Sequence, residues 1–183
     1  GSDEVLGASS LVTTMVNVLP ETRNVIPDQV VMAIDWRILP TDSDESLVAR
    51  VRAAVEQRIP ELPSGLSFEV RMATEHQVTY TGLVADRNLF TPGFLMDPEH
   101  PVVQAAAGAV GRRGAEGDAK VRPWQFATDG GWSCGVNGIP TIGFAPGEER
   151  FAHTNRERLN VEAAAWGFER YPHLIRAVQL AAR

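Results

Sequence analysis

Val30-Val-Met-Ala-Ile-Asp-Trp-Arg-Ile38 is the stretch that decides the fold prediction for the first half of this chain. Apolar side chains recur there at every second position, namely Val30, Met32, Ile34, Trp36 and Ile38. Alternation with a period of two is typical of a strand that has one covered face. Arg37 belongs to the other set, so we expect its side chain to point away from the covered face.

The flanking segments extend this strand into a small sheet with a helix. Residues 11–19 are rich in Val and Thr and are predicted to form a strand, and a third strand is predicted at 68–72. Asp42, Ser43 and Glu45 provide N-cap chemistry for a helix from about Asp44 to Arg58. We therefore predict an antiparallel sheet with one helix for residues 1–90.

The second half, residues 91–183, begins near the end of a stretch at 75–93 that we expect to be irregular. A strand is predicted at 121–126, and a helix is predicted to begin near Asn160. Pro172 should kink that helix or start a new one, because proline donates no backbone hydrogen bond.

A loop after a short apolar run carries the main candidate for a functional side chain. Residues 139–144 are apolar and lie between Gly138 and Pro146, a pattern typical of a buried strand that ends in a tight loop. The loop then presents His153. Catalytic and metal-binding groups often occupy loops at the ends of strands, although composition alone favours a plain surface histidine.

Composition and charge exclude several functional classes. The chain has 17 basic and 23 acidic residues, a net charge of −6 and no basic cluster, so we expect no nucleic-acid partner. No apolar run approaches the roughly 18 residues of a membrane span, and no signal-peptide pattern is visible, so we expect no membrane partner. The single cysteine, Cys134, fits a reducing, cytoplasmic location.

Six short motifs occur in an order that carries a resemblance. They are Asn24-Val-Ile-Pro-Asp28, Ile34-Asp-Trp-Arg37, Thr128-Asp129, Gly138-Ile-Pro140, Phe144-Ala-Pro-Gly147 and Ala152-His-Thr-Asn-Arg-Glu157. Together they resemble metallopeptidase family 20, the zinc-dependent amidohydrolases that include acetylornithine deacetylase, succinyl-diaminopimelate desuccinylase, aminoacylase and carboxypeptidase G. Glu99-His-Pro101 and Trp124-x-Phe126 are more similar to its YgeY-like branch, which is linked to selenium metabolism.

The resemblance implies an α/β fold in two partial domains. Residues 1–90 would be a partial lid, or dimerisation, domain, with an antiparallel sheet and a helix. Residues 91–183 would be the C-terminal segment of a zinc-peptidase-like, mostly parallel α/β catalytic domain. Its sheet would include the strand predicted at 139–144.

The resemblance also implies roles for five residues. His153 matches the family's final zinc ligand, and the full-length protein would hold one or two zinc ions, with cobalt or manganese as alternatives. Asn24 and Arg37 match lid residues that reach substrate, and the arginine would grip a substrate carboxylate. Thr128 and Gly147 match loop positions that line the same pocket. Without the resemblance, Arg37 is explained by an ion pair with Asp35 or Glu69, and Asn24 by a turn.

The rest of the family's metal site matches nothing in this sequence. The His-x-Asp motif and the general base lie in the family's N-terminal catalytic half, and no His-x-Asp occurs here. Glu148-Glu149 lies just before His153 and is not assigned as the base, whereas Glu157 is a candidate partner of His153. We expect a fragment whose N-terminal catalytic segment is missing, which is inactive by itself.

The predicted function is therefore that of a parent enzyme. It would be a zinc-dependent amidohydrolase or peptidase that cleaves an amide, peptide or N-acyl bond of an amino-acid-like carboxylate substrate. Its partners would be that small-molecule substrate and a second copy bound through the lid domain. The alternatives are a dimerisation module and a non-catalytic carboxylate-binding fragment. Motifs do not determine which substrate is cleaved.

Overall fold

The computed structural model describes residues 1–183, which divide into two compact units. Unit 1 is Gly1–Gly93 and unit 2 is Phe94–Arg183. The chain is mixed α/β, with helices and three two-stranded sheets, all of them antiparallel. None of the helices combines the length and apolar character needed to cross a bilayer.

Unit 1 is built around a long antiparallel ribbon. Its first four strands are β1 (Ser2–Asp3), β2 (Gly7–Ala8), β3 (Ser10–Leu19) and β4 (Gln29–Arg37). β3 and β4 form the ribbon, whose register runs from the pair Ser10 and Arg37 at one end to Leu19 and Gln29 at the other. A bulge follows Thr13. Both strands predicted in this region are confirmed.

Helix α1 (Asp44–Arg58) lies where the sequence predicts it and begins in a capping box. The Ser43 hydroxyl accepts a hydrogen bond from the Ser46 amide at 3.2 Å, and the Ser46 hydroxyl accepts one from the Ser43 amide at 2.9 Å. Two amides at the start of the helix are thereby satisfied. The helix buries Leu47 and places the Arg50 guanidinium 4.4 Å from the centroid of the Trp36 ring.

The predicted covered face of β4 is only partly covered. Trp36 and Ile38 are half-buried, whereas Val30 and Met32 are each 58% exposed. In β3, Val16 pairs with Met32 and is likewise exposed on this face, and Val12 is exposed on the other face. The ribbon therefore leaves a run of apolar side chains in contact with solvent.

The third strand predicted for unit 1 lies in the wrong place. Residues 68–72 belong to no sheet, and the Val70 carbonyl accepts a 3.4 Å hydrogen bond from the Arg52 side chain of α1. Strands β5 (Thr74–Val78) and β6 (Val84–Asn88) instead form a hairpin in the stretch that we expected to be irregular. Gly82, with φ +83°, allows the tight turn of that hairpin. The alternation at 68–72 was visible in the sequence, but its lack of a pairing partner was not.

The core of unit 2 lies between two helices. Helix α2 (Pro101–Val110) buries five side chains, and α3 (Val161–Ala181) begins after its N-cap Asn160, as predicted. Ala106, Val110 and Leu174 form the buried centre. α3 continues through Pro172, so of the two predicted outcomes, a kink or a new helix, the new helix does not occur. Packing of Leu174 against α2 stabilises the part of α3 that follows the proline.

The two strands predicted in unit 2 are wrong. Residues 121–126 and 139–144 belong to no sheet, and the structure has no parallel pairing that would support a mostly parallel catalytic domain. The Trp124 ring instead packs against the backbone of Gly143, where a Cβ would lie 2.9 Å from the ring. Phe144 packs against the α2–α3 core. A short apolar run can thus be buried without strand pairing.

Candidate functional site

His153 lies on a loop with an unusual backbone conformation. Its φ of 60° makes it the one residue other than glycine with a left-handed conformation. The His153 amide donates to the Glu157 carboxylate at 3.2 Å, and the His153 ring lies 5.2 Å from the ring of Phe126, centroid to centroid. Glu157 is thus a partner of the His153 backbone, and the structure records no bond between Glu157 and the imidazole. The imidazole itself remains exposed.

The loop that carries His153 contacts a second candidate loop. We call residues 145–158 the His153 loop and residues 122–130 the Thr128 loop. Glu149 joins them, because its carboxylate accepts a 2.6 Å hydrogen bond from the Gln125 amide and lies 3.9 Å from the Arg122 guanidinium. The Glu149 side chain is only 21% exposed. It therefore connects the two loops, a role that its sequence position did not indicate.

Thr128 shapes the end of its own loop. Its hydroxyl accepts a 3.2 Å hydrogen bond from the Gly130 amide, just before a π-helical turn at Gly131–Val136. A Cβ on Gly130 would overlap the ring of Phe94, so only glycine fits there without movement. Gly147, in the other loop, has open space around the position of a Cβ. Unit 2 contains three of the predicted site residues. Thr128 lies on one of the two connected loops. His153 and Gly147 lie on the other, where Gly147 is two residues before the connecting Glu149.

Three arginines surround one aromatic ring in the His153 loop. The guanidinium carbons of Arg158, Arg150 and Arg156 lie 4.3, 4.6 and 5.9 Å from the centroid of the Phe151 ring. The Arg150 guanidinium donates two hydrogen bonds to the Glu148 carboxylate, at 2.6 and 3.0 Å. These bonds lower the pKa of Glu148 below its ordinary value. Sequence reasoning missed this cluster, although three arginines within nine residues, two of them after Phe151, could have indicated it.

Asn24 and Arg37 are not brought together in unit 1. Arg37 ends β4 at one end of the ribbon, whereas Asn24 lies in the connection that leaves the other end, at the pair of Leu19 and Gln29. Eight residue steps along β4 separate those ends by about 25 Å. The Asn24 amide donates to the Thr22 hydroxyl at 3.4 Å, which is a local turn contact.

Arg37 is paired within its own strand. Its Nε lies 3.6 Å from the Asp35 carboxylate, and both side chains are about half exposed, at 51% and 52%. The ion pair with Asp35 that the sequence allowed therefore forms. An exposed pair of this length is worth little, so the guanidinium remains available to a ligand.

The described residues do not complete a metal site. No group of three or more His, Cys, Asp or Glu side chains lies close enough to hold an ion. The three carboxylates of the His153 loop already bind the Arg150 side chain, the Gln125 amide and the His153 amide. Protein zinc sites use three or four ligands. His153 can therefore supply one imidazole, and this chain by itself does not supply the rest.

Comparison with known proteins gives two related matches. The chain is 30% identical over 159 residues to the uncharacterized protein YgeY of Escherichia coli strain K12, and equally to that of Escherichia coli O157:H7. The match covers 86% of this chain and 38% of the relative, so the chain spans well under half the length of these relatives. No protein-family model and no solved structure matches the chain. The similarity to YgeY agrees with the YgeY-like motifs of the sequence.

Proposed function

We propose that this chain is the C-terminal portion of a zinc-dependent amidohydrolase that cleaves an amide, peptide or N-acyl bond of an amino-acid-like carboxylate substrate. The observation that carries the proposal is the setting of His153, whose exposed ring projects from a loop with a left-handed backbone. Strained backbone of this kind clusters at functional sites. The order of the family motifs and the similarity to YgeY support the same reading.

In this proposal His153 contributes one neutral imidazole to the metal site. The Phe126 ring on one side and the bond from the His153 amide to Glu157 hold its loop in place. Glu149 keeps that loop against the Thr128 loop. In this proposal Thr128 lines the same pocket as His153. The remaining metal ligands and the general base lie outside these 183 residues, so we expect the chain alone to hydrolyse nothing.

Arg37 is the proposed receptor for the substrate carboxylate. Its guanidinium is half exposed and held only by the 3.6 Å contact to Asp35. A planar guanidinium can bind a carboxylate through two parallel hydrogen bonds. Asn24 leaves the opposite end of the ribbon, so we do not assign both residues of one copy to one small substrate.

A direct test uses the whole polypeptide that contains this chain, because the chain alone is expected to be inactive. The assay measures bound metal and the release of free amine from a panel of N-acyl amino acids. His153→Asn removes the imidazole, and asparagine tolerates the left-handed backbone. We expect this variant to lose zinc and activity, whereas His173→Asn, at an exposed position of α3, keeps both. Equal metal content and activity in the two variants would rule out His153 as a ligand.

A second candidate function, a dimerisation module, is favoured by the exposed ribbon. Val16 of β3 and Val30 and Met32 of β4 are each at least 55% exposed and lie on one face of the ribbon, since Val16 pairs with Met32 and Val30 is two residues from Met32. Contiguous exposed apolar side chains often mark protein interfaces. Sedimentation of the chain, with Val16→Lys as the variant, tests this function. A dimer that the lysine dissociates supports it, and a monomer at all concentrations contradicts it.

A further inference from the structure

Helix α3 has apolar side chains on two different faces. One face packs on α2 and buries Leu174. The other carries Val161, Phe168 and Ile175, which are 78%, 79% and 54% exposed and form one row along the helix, because they are seven positions apart. The positions that complete this second face are also exposed and uncharged, namely Ala165, Pro172 and Gln179. We call these six residues the outer stripe of α3. A helix that is apolar on more than one face is usually covered on each of them.

A row of charged residues borders the outer stripe on one side. Glu162, Glu169, Arg176 and Arg183 are themselves seven positions apart, so the acidic residues come first along the row and the basic residues last. Arg183 lies two residues beyond the end of α3. Glu162 forms the one ion pair of the row, with Arg113 at 3.1 Å. Glu169 and Arg176 are exposed and unpaired, so their charges are available to a surface that carries the opposite charges at the matching spacing.

We propose that the outer stripe is a contact between two copies of this chain, whose α3 helices pair in antiparallel orientation about a two-fold axis near Pro172. This arrangement places Phe168 of each copy beside Ile175 of the other, which covers both exposed side chains. It also places Glu169 of each copy beside Arg176 of the other, so the charge row is complementary to itself. A parallel pair would instead bring each charged residue level with its own copy. The order of acidic before basic residues therefore selects a second copy of this chain as the partner, and the antiparallel orientation.

Sedimentation velocity of the chain at low ionic strength tests the proposal. We expect a dimer that dissociates on dilution. Phe168→Ala removes the largest side chain of the outer stripe and should weaken the dimer about tenfold. Glu169→Arg should weaken it by at least about the same factor, because two pairs of opposite charges become pairs of like charges. Glu116→Arg makes the same change of charge at an exposed loop position and should leave the dimer as it is in the unchanged chain.

A mixing experiment tests the antiparallel order. Arg176→Glu alone should weaken the dimer as Glu169→Arg does, because carboxylates then face each other. An equal mixture of the two variants should form a mixed dimer about as strong as the original, since both charge pairs are again opposite in sign. A mixture that does not associate, a dimer that neither single variant weakens, or a chain that stays monomeric at all concentrations would each overturn the proposal. So would a dimer that Val16→Lys dissociates and Phe168→Ala does not, which would assign the contact to the ribbon. No metal or turnover is involved, so the result is independent of whether His153 proves to be a zinc ligand.

Discussion

Replacing Gly130 with alanine tests the packing of the Thr128 loop. The new methyl carbon would lie 2.5 Å from Cζ of the Phe94 ring and 3.1 Å from the Thr128 hydroxyl oxygen. Carbon atoms in ordinary contact are about 3.5–4.0 Å apart. The Phe94 ring would therefore have to move by about 1 Å, and the turn that positions Thr128 would move with it.

The expected loss of stability follows from two opposing effects. Forcing an extra carbon into a packed site costs about 1–3 kcal/mol. Gly130 has helical dihedral angles, φ −57° and ψ −29°, which alanine adopts without strain. Because alanine lowers the conformational entropy of the unfolded chain, it would by itself raise the free energy of unfolding by at most about 1 kcal/mol. The clash is the larger effect, and we expect Gly130→Ala to lower the free energy of unfolding by about 1–2 kcal/mol.

Urea unfolding followed by tryptophan fluorescence measures this effect. Three of the four tryptophans, Trp124, Trp132 and Trp166, lie in unit 2, so the signal reports on the unit that contains Gly130. Repeating the measurement in a Phe94→Leu background isolates the clash, because the shorter side chain leaves room for the methyl group. There we expect Gly130→Ala to be neutral or stabilising.

Gly147→Ala is the matched control. A Cβ at that position meets no atom within 4 Å, and its backbone is not left-handed. We expect its free energy of unfolding to stay within about 0.5 kcal/mol of that of the unchanged chain. The reasoning is refuted if Gly130→Ala is as stable as Gly147→Ala in the original background, or if Phe94→Leu does not change its effect.

Three further predictions concern the same unit. Glu149→Gln weakens the acceptor for the Gln125 amide, and we expect about 1–2 kcal/mol less protection of that amide in hydrogen exchange; an unchanged rate would contradict its role between the loops. The hydrogen bonds from Arg150 lower the pKa of Glu148 in the folded chain below its ordinary value of 4.5. The ionised Glu148 therefore contributes to the free energy of unfolding above pH 4.5, and this contribution is lost as the pH falls through the lower pKa of the folded chain. Arg150→Gln should return that pKa towards 4.5 in an NMR titration, and a value that stays low would argue against this cause. Leu174→Ala empties a buried position and should lower the free energy of unfolding by about 2–5 kcal/mol in urea; a loss below 1 kcal/mol would mean that the core is elsewhere.

The elements that could be predicted from sequence are those with local signals. β4 has large apolar side chains at every second position, α1 begins with a serine cap, and α3 begins after Asn160. Each of these signals acts over a few neighbouring residues. The strands predicted at 121–126 and 139–144 fail because apolar character predicts burial, whereas a strand also requires a partner with free amides and carbonyls.

The candidate site shows the same division. The motif order indicates His153 as a candidate, but nothing in the motif indicates its left-handed backbone or its contact with Phe126. Glu149 occurs in the sequence beside Glu148 as one of two similar carboxylates. Only the folded loops distinguish them, since one binds a backbone amide and the other binds arginines.

The sequence by itself determined the mixed α/β character, the strand β4, the ends of α1 and the start of α3. These features depend on side chains that lie close together in the chain. Tertiary structure decided which apolar segments pair as strands and which only pack, and it separated Asn24 from Arg37 along the ribbon. It also decided that three arginines share the ring of Phe151. These features depend on which surfaces meet after folding, and that pairing is set by contacts between residues far apart in the sequence.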